Sequence, residues 1–505
     1  MRPSPTCSEV RSVATVYSIV PACAVLVPLA AAVLILLSRG HEKIREGWTI
    51  LAAAANFLIV LSLLPQVLAG DRVACTLIEL LPGLDMAFRV DAFGMIFALV
   101  ASGLWIVTSI YSIGYMRALR EHALTRYFFS FAVAIAAALG IAFSANLVTM
   151  FIFYEILTIS TYPLVAHTET EEARKAGRKY LAYLITAGVF FLFSVILTYF
   201  LTGTTDFQPG GILAGTGPVI LQQILFVTFL IGFAKAAWMP LHGWLPSAMV
   251  APAPVSALLH AVAVVKAGVF GIVRVVCYVY GIELTAEIGM GTLLAAIAAA
   301  TIIIGSLFAL RQDNLKQRLA YSTVSQLSYI LLGVALLTPM GITGAMLHVP
   351  FHAFMKITLF FCAGALIVAA GVEYVSEMKG IGRRMPVTML MFTIGAIGIC
   401  SLPPVCGIIS KWYLVLGAVQ AQNLAAFLVL ITSSVLNLLY FFPIIHTAFF
   451  EEPESGREGV REAPLSMLVP LAITAVGSIL LFLAPDVAFL RLVEVAIGEV
   501  TGVSP

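Results

Sequence analysis

Five ionisable side chains stand where the sequence is otherwise hydrocarbon. They are Glu155 in FIFYEILTISTYPL, Lys235 in LIGFAKAAWMP, Lys266 in AVAVVKAGVFGIVR, Lys356 in HAFMKITLFF and Lys411 in GIISKWYLVLG. A charge at the centre of a bilayer costs ~2.5–3.5 kcal/mol on insertion scales, so groups placed there mark function by default. One carboxylate can satisfy one or two lysines, so static ion pairing leaves the rest unexplained. Histidines lie close by. His348, His352 and Lys356 follow i, i+4, i+8 spacing, share one helical face and cover about 12 Å of rise, and His260 lies six residues before Lys266. Imidazole titrates near neutrality, and a lysine withdrawn from water holds its proton less tightly. The chemistry open to this set is proton transfer. Two other readings of the stripe stay open: core histidines bonded to backbone, and a His-x3-His metal pair for which the sequence offers no evident third ligand. Arg274 falls in the outer half of its apolar run, within snorkelling reach of the surface.

These groups need a membrane scaffold to position them. Of the 505 residues, 61% are hydrophobic and 11% are charged, against 45–50% and about 25% in soluble domains. Large soluble enzymes, disordered tails and disulfide scaffolds are excluded. The net charge of +2 gives nucleic-acid binding no electrostatic basis. The seven cysteines show no CxxC or Cys/His finger spacing, and there is no P-loop, GxGxxG–strand context or iron–sulfur spacing. No cofactor and no bound metal are expected.

Apolar runs predict fourteen spans, near 15–38, 47–69, 92–116, 127–144, 146–166, 180–203, 219–248, 253–280, 288–310, 323–339, 341–371, 387–419, 424–449 and 465–485. The expected fold is therefore an all-α polytopic membrane protein. Residues 75–91 could close a short hairpin between spans two and three. Residues 486–500 are amphipathic and are expected at the membrane interface. Arg and Lys concentrate in the odd-to-even loops (Arg39, Lys43 and Arg45; Arg117, Arg120 and Arg126; Arg174, Lys175, Arg178 and Lys179; then Arg311, Lys316, Arg318, Lys379, Arg383, Arg384, Arg457 and Arg461). Arg2, Arg11, Arg72, Arg89 and Arg491 are the few on the other side. By the positive-inside rule both termini face outward.

Span seven contains Pro240 and Pro246 around His242 and Gly243, and span twelve contains Pro403 and Pro404 before Gly407. Proline removes a helical hydrogen bond, and broken backbone at membrane depth must line a cavity or be buried in protein. Breaks at spans seven and twelve suggest a five-helix repeat, spans 4–8 and 9–13. Five is odd, so the second copy is inverted. The expected divisions are 1–126 (helices 1–3), 127–280, 281–449, and 450–505 (loop, helix 14 and tail). The hydroxyl-rich entry to span ten, RLAYSTVSQLSYI, either holds water or bonds helix to helix.

The segments FYEILTISTYPLV, FAKAAWMPLHGWLPSAMVAPAPVSALLHAVAVVKAGVF, DNLKQRLAYSTVSQLSYI, HAFMKITLFFCAGA and LPPVCGIISKWYL together resemble the proton-conducting antiporter family. That family is shared by the large membrane subunits of respiratory complex I, membrane-bound hydrogenases and Mrp cation/proton antiporters, and the resemblance covers roughly residues 90–450. It implies proton-relay roles for Glu155 (the acid of span five), Lys235 (broken span seven), Lys266 (span eight), His352 (span eleven) and Lys411 (broken span twelve), with His348, Lys356 and His260 beside them. Some complex I members carry glutamate at the last place and several carry histidine where Gln326 stands. The chain ends without the long lateral helix of the largest complex I subunit. The resemblance therefore points to the D-type subunit of an Mrp antiporter or its hydrogenase cousin, with complex I as the alternative. It implies a prokaryotic cytoplasmic-membrane location, an antiporter-like paralogue and small membrane subunits as partners, and protons and Na+ as the transported ions.

Overall fold

A computed structural model describes residues 14–81, 84–452 and 459–501. The positions of Arg2, Arg11 and Arg457, used above for orientation, lie outside the described residues. The chain is mostly helical, with helices α1 (Val20–Leu37), α2 (Glu42–Leu68), α3 (Ala92–Ala118), α4 (Leu124–Ala142), α5 (Leu147–Val165), α6 (Glu171–Thr202), α7 (Val219–Gly232), α8 (Ala253–Tyr280), α9 (Met290–Arg311), α10 (Leu315–Ala335), α11 (Pro339–Ala370), α12 (Pro386–Ile399), α13 (Gly407–Gln420), α14 (Leu424–Phe450), α15 (Leu465–Leu483) and α16 (Arg491–Thr501). Among the described residues, eleven helices are long and apolar enough to cross a membrane. The shorter α7 and α12 are apolar too.

Side-chain chemistry sets many of the boundaries. Asp91, Asn146, Asn314, Thr338 and Asn423 each accept a hydrogen bond from a first-turn amide at the start of α3, α5, α10, α11 and α14. The apolar window of α8 is wholly buried, which makes α8 the central post of the bundle. Helices α2, α6 and α14 expose large apolar side chains outward, among them Leu58, Phe193, Phe200, Val435 and Phe442. That is the inside-out surface a lipid solvent favours.

Three expectations need correcting. The fold is not purely helical: β1 (Thr15–Tyr17) pairs in parallel with β2 (Arg72–Leu81), which pairs antiparallel with β3 (Leu84–Val90), Val73 opposite Val90. The hairpin suggested for residues 75–91 is therefore present and gains a third strand from the segment read as the start of span one. Second, the amphipathic C-terminal segment does not lie free at an interface. Leu492, Val493, Ala496, Ile497 and Val500 of α16 are buried against the bundle, and Glu499 pairs with Arg72 of β2 at 3.6 Å. Third, Arg274 does not snorkel. Its guanidinium is buried and donates to Asp91 from both terminal nitrogens, at 2.5 and 2.7 Å, inside a ring of Phe93, Phe207, Phe270 and Tyr278.

Candidate functional site

The chain leaves helical geometry at both proline clusters. After α7 it makes a 3-10 turn at Ala234–Ala236, takes a left-handed residue at Ala237 (φ +54°), and resumes in a short helix at Trp244–Ser247. Side chains donate to the carbonyls around the break. Trp238 Nε1 donates to Leu230 O at 3.1 Å, Trp244 Nε1 to Ala234 O at 3.1 Å, and Tyr154 OH to Gly232 O at 3.2 Å. Thr301 Oγ1 accepts from Met239 N at 3.0 Å. The second interruption, between Ile399 and Gly407, is closed the same way: Asn437 Nδ2 donates to Ile399 O at 3.1 Å, and Cys406 N to Ser478 O at 3.1 Å. Protein groups supply what the bilayer cannot.

Lys235 sits on the 3-10 turn and is fully buried. Its Nζ donates to Tyr154 O at 2.6 Å and lies over the Tyr154 ring. Glu155, the next residue on α5, is half-buried; no ion pair within 4.0 Å joins it to Lys235, and its Oε1 has no hydrogen-bond partner among the described residues. The two groups are neighbours, held apart. Gly188 of α6 faces the Glu155 carboxylate so closely that a Cβ there would collide with it. On the other side, Gly268 of α8 packs on the backbone of Lys235 and Ala236, which brings the Lys266 helix against the break.

From Lys266 the contacts become direct. Its Nζ is 2.9 Å from His352 Nδ1 on α11. His352 and His348 have ring centroids 5.7 Å apart. His348 Nδ1 shares a hydrogen bond of 2.9 Å with Ser410 Oγ, the residue before Lys411. Lys411 Nζ donates to Tyr329 OH at 3.2 Å. Lys266, His352 and His348 are all buried and Lys411 is 6% exposed. These sequence-derived residues thus form one row from α8 to α13. Both imidazoles have their Nδ1 engaged, on different partners, and neither Nε2 has a hydrogen-bond partner among the described residues.

Besides Glu155 and Lys235, two further candidates fall outside the row. His260 occupies a π-helical turn, Leu258–Val262; neither ring nitrogen has a partner among the described residues, and the ring lies 4.7 Å from that of Phe360. Lys356 Nζ turns away toward α10, donating to Ser322 Oγ at 2.9 Å and Leu319 O at 3.4 Å.

The hydroxyls of span ten, with Ser433, Asn437 and Tyr440 of α14 that the sequence reading did not single out, connect these ends. Ser322 Oγ is 3.0 Å from Tyr440 OH, which donates to Asn437 Oδ1 at 2.7 Å, and Tyr329 OH bonds Ser433. The hydroxyls of span ten thus bond helix to helix here, as does Ser325 to Ser306 at 2.9 Å. Ser433, Asn437 and Tyr440 recur at i, i+4, i+7 in an otherwise apolar run, a polar stripe that could have revealed them. Asp91 had only its N-cap position as a signal.

A buried basic row strung between two interrupted helices defines a class: a polytopic membrane protein with an ionisable core. Comparison with known proteins places it further. Residues 144–437 match the family described as NADH:quinone oxidoreductase/Mrp antiporter, TM, and residues 83–128 match NADH-Ubiquinone oxidoreductase (complex I), chain 5 N-terminus. The chain belongs to this NADH:quinone oxidoreductase/Mrp antiporter family and is a transmembrane antiporter-like subunit of a family located in the cell membrane. It is 32% identical to NADH-quinone oxidoreductase subunit N of Desulforudis audaxviator over 82% of this chain and 85% of the relative. It is 29% identical to a Na(+)/H(+) antiporter subunit of Alkalihalophilus pseudofirmus over 94% of this chain but only 62% of that longer protein. In fold it matches a chain of the Mrp complex from Dietzia sp. DQ12-45-1b with a TM-score of 0.85 at 22% identity, covering 96% of this chain and 98% of that one.

Proposed function

We propose that this chain is the proton-translocating subunit of a multisubunit cation/proton antiporter of Mrp type, with Na+ as the exchanged cation. The observation that carries the reading is the row Lys266–His352–His348–Ser410–Lys411, whose two hydrogen-bond contacts of 2.9 Å link α8 to α11 and α11 to α13. Groups that exchange protons need contacts of this length, or one water between them.

In this reading fourteen spans form two inverted repeats, spans 4–8 and 9–13, each broken at its fourth member. Both termini face the outer side of a prokaryotic cytoplasmic membrane. Glu155 and Lys235 are the switch. Approach of the carboxylate favours the charged lysine; withdrawal releases the proton toward Lys266 across the Gly268 contact. His352 and His348 hand it to Lys411, and from there it leaves. His260 and Lys356 adjust the charge around the row. The driving event lies in partner subunits, an antiporter-like paralogue and smaller membrane proteins, which also carry most of the sodium path.

The 32% identity to an oxidoreductase subunit N supports a second reading, a proton-pumping arm of complex I or of a hydrogenase. One experiment separates the two. In inverted vesicles containing the parent complex, pH-gradient formation is driven first by added sodium and then by a respiratory electron donor, with Lys235→Ala alongside. A sodium-driven gradient lost in the variant supports the antiporter. A gradient that needs the donor and is lost in the variant supports the redox complex, and full activity of Lys235→Ala sinks both.

A further inference from the structure

A second group of titratable side chains lies well away from the buried row. Glu121 and His122 sit on the connection from α3 to α4, and His167 sits on the turn that follows α5. Forty-five residues separate the two histidines, yet their rings stack with centroids 5.2 Å apart. Glu121 Oε2 is 3.7 Å from His122 Nδ1 and 3.7 Å from His167 Nε2, and one ligand atom from each of the three residues lies within 4.8 Å of the others.

His167 is the informative member. Its ring is wholly buried, and neither nitrogen has a hydrogen-bond partner among the described residues. A buried imidazole left unbonded is costly. The neighbouring Tyr127 ring, 5.4 Å away, offers it no acceptor. Arg126 is the nearest cation, and it is engaged by Glu169 and by the carbonyl of His167 at 3.0 Å.

We propose that Glu121, His122 and His167 form a binding site for a divalent transition cation of the zinc type. Tetrahedral zinc with ligands at 2.0–2.1 Å sets the ligand atoms about 3.3 Å apart; the two contacts of Glu121 need to close from 3.7 Å, and all three ligand atoms already lie within 4.8 Å of one another. Two imidazoles and one carboxylate are borderline ligands that select zinc, cobalt or nickel over magnesium and calcium. Glu121 and His122 also help to line an open cavity of about 660 Å³, from which an ion could reach them. Bound there, the ion ties the α3–α4 connection to the end of the helix that carries Glu155.

The test uses the full chain purified without a histidine tag, stripped with EDTA, and equilibrated with zinc sulfate. Bound zinc is counted by mass spectrometry after desalting, and cobalt is substituted to read coordination from its visible spectrum. The expected result is one zinc per chain, undisplaced by millimolar magnesium, with an intense tetrahedral cobalt band. Outer-shell changes alone cost 10–100-fold in metal affinity, so His122→Gln, Glu121→Gln and His167→Asn should each weaken binding about 100-fold or more. His122 is half exposed, so its replacement leaves the fold intact and serves as the deciding variant beside that of buried His167. No stoichiometric zinc, or one equivalent that persists in His122→Gln, overturns the assignment.

Discussion

Lys266 Nζ and His352 Nδ1 stand 2.9 Å apart, one on the central helix α8 and one on α11. This contact is where the first interrupted region meets the second, because Gly268, two residues on, packs against Lys235. His352→Ala leaves a buried lysine without its side-chain partner, an omission worth about 1–3 kcal/mol. Proton flux should fall sharply while the complex still assembles. His260→Ala, which removes an imidazole bonded to nothing described, should lose less. Vesicle pH-gradient assays on the pair check the order; equal losses would count against the row.

The second prediction concerns Gly268. A glycine-to-alanine change inside a helix normally stabilises by roughly 0.5–1 kcal/mol. Here the new methyl meets the Lys235–Ala236 backbone, and overpacking costs about 1–3 kcal/mol. The net sign is destabilising. Gly268→Ala should lower the unfolding midpoint in detergent and reduce transport, whereas Gly47→Ala, where nothing lies within 4 Å, should do neither.

At the other end of the row, Tyr329 OH serves Lys411, Ser433 and Asn437 together. Tyr329→Phe keeps the ring beneath Lys411 and removes only the hydroxyl. Transport should drop several-fold, about 1 kcal/mol on the barrier per lost bond, with little change in expression. Wild-type flux in Tyr329→Phe would mean that Lys411 draws its support from elsewhere.

The Asp91–Arg274 pair makes a stability prediction. Removing one partner of a buried pair strands the other charge and costs about 3–5 kcal/mol. Arg274→Met and Asp91→Ala should each destabilise strongly, and the double variant should cost less than the two together. Thermal unfolding of all four proteins in detergent measures this, and additive losses would show that the two charges do not depend on each other.

Much of this arrangement was legible because a lysine in a run of leucine, valine and alanine has no bland explanation; Lys235, Lys266, Lys356 and Lys411 announce themselves by cost alone. The interruptions were legible because prolines cluster with glycine there, Pro240 and Pro246 around Gly243 and Pro403 and Pro404 before Gly407, whereas single prolines such as Pro350 stay inside their helices. What sequence could not supply was reach across the fold. Asp91 reads as the end of a loop, and nothing local ties it to a residue 183 positions later. Glu121 and His167 sit in separate loops without motif spacing. The tail 486–500 was read as amphipathic and assigned to the membrane surface, but an apolar helix face fits a protein groove as well as a lipid one. Lys356 shares a face with His348 and His352, yet side-chain length lets it turn to Ser322 instead.

The capped break beside Lys235 has a mechanical consequence. The carbonyls of Leu230, Gly232 and Ala234 at the break each accept from an indole or a phenol, which stiffens the kink. In the switch proposed above, the parts left to move are the flexible tip of Lys235 and the Glu155 carboxylate. Such a device has light moving parts on a stiff frame, and it can cycle without any helix having to swing.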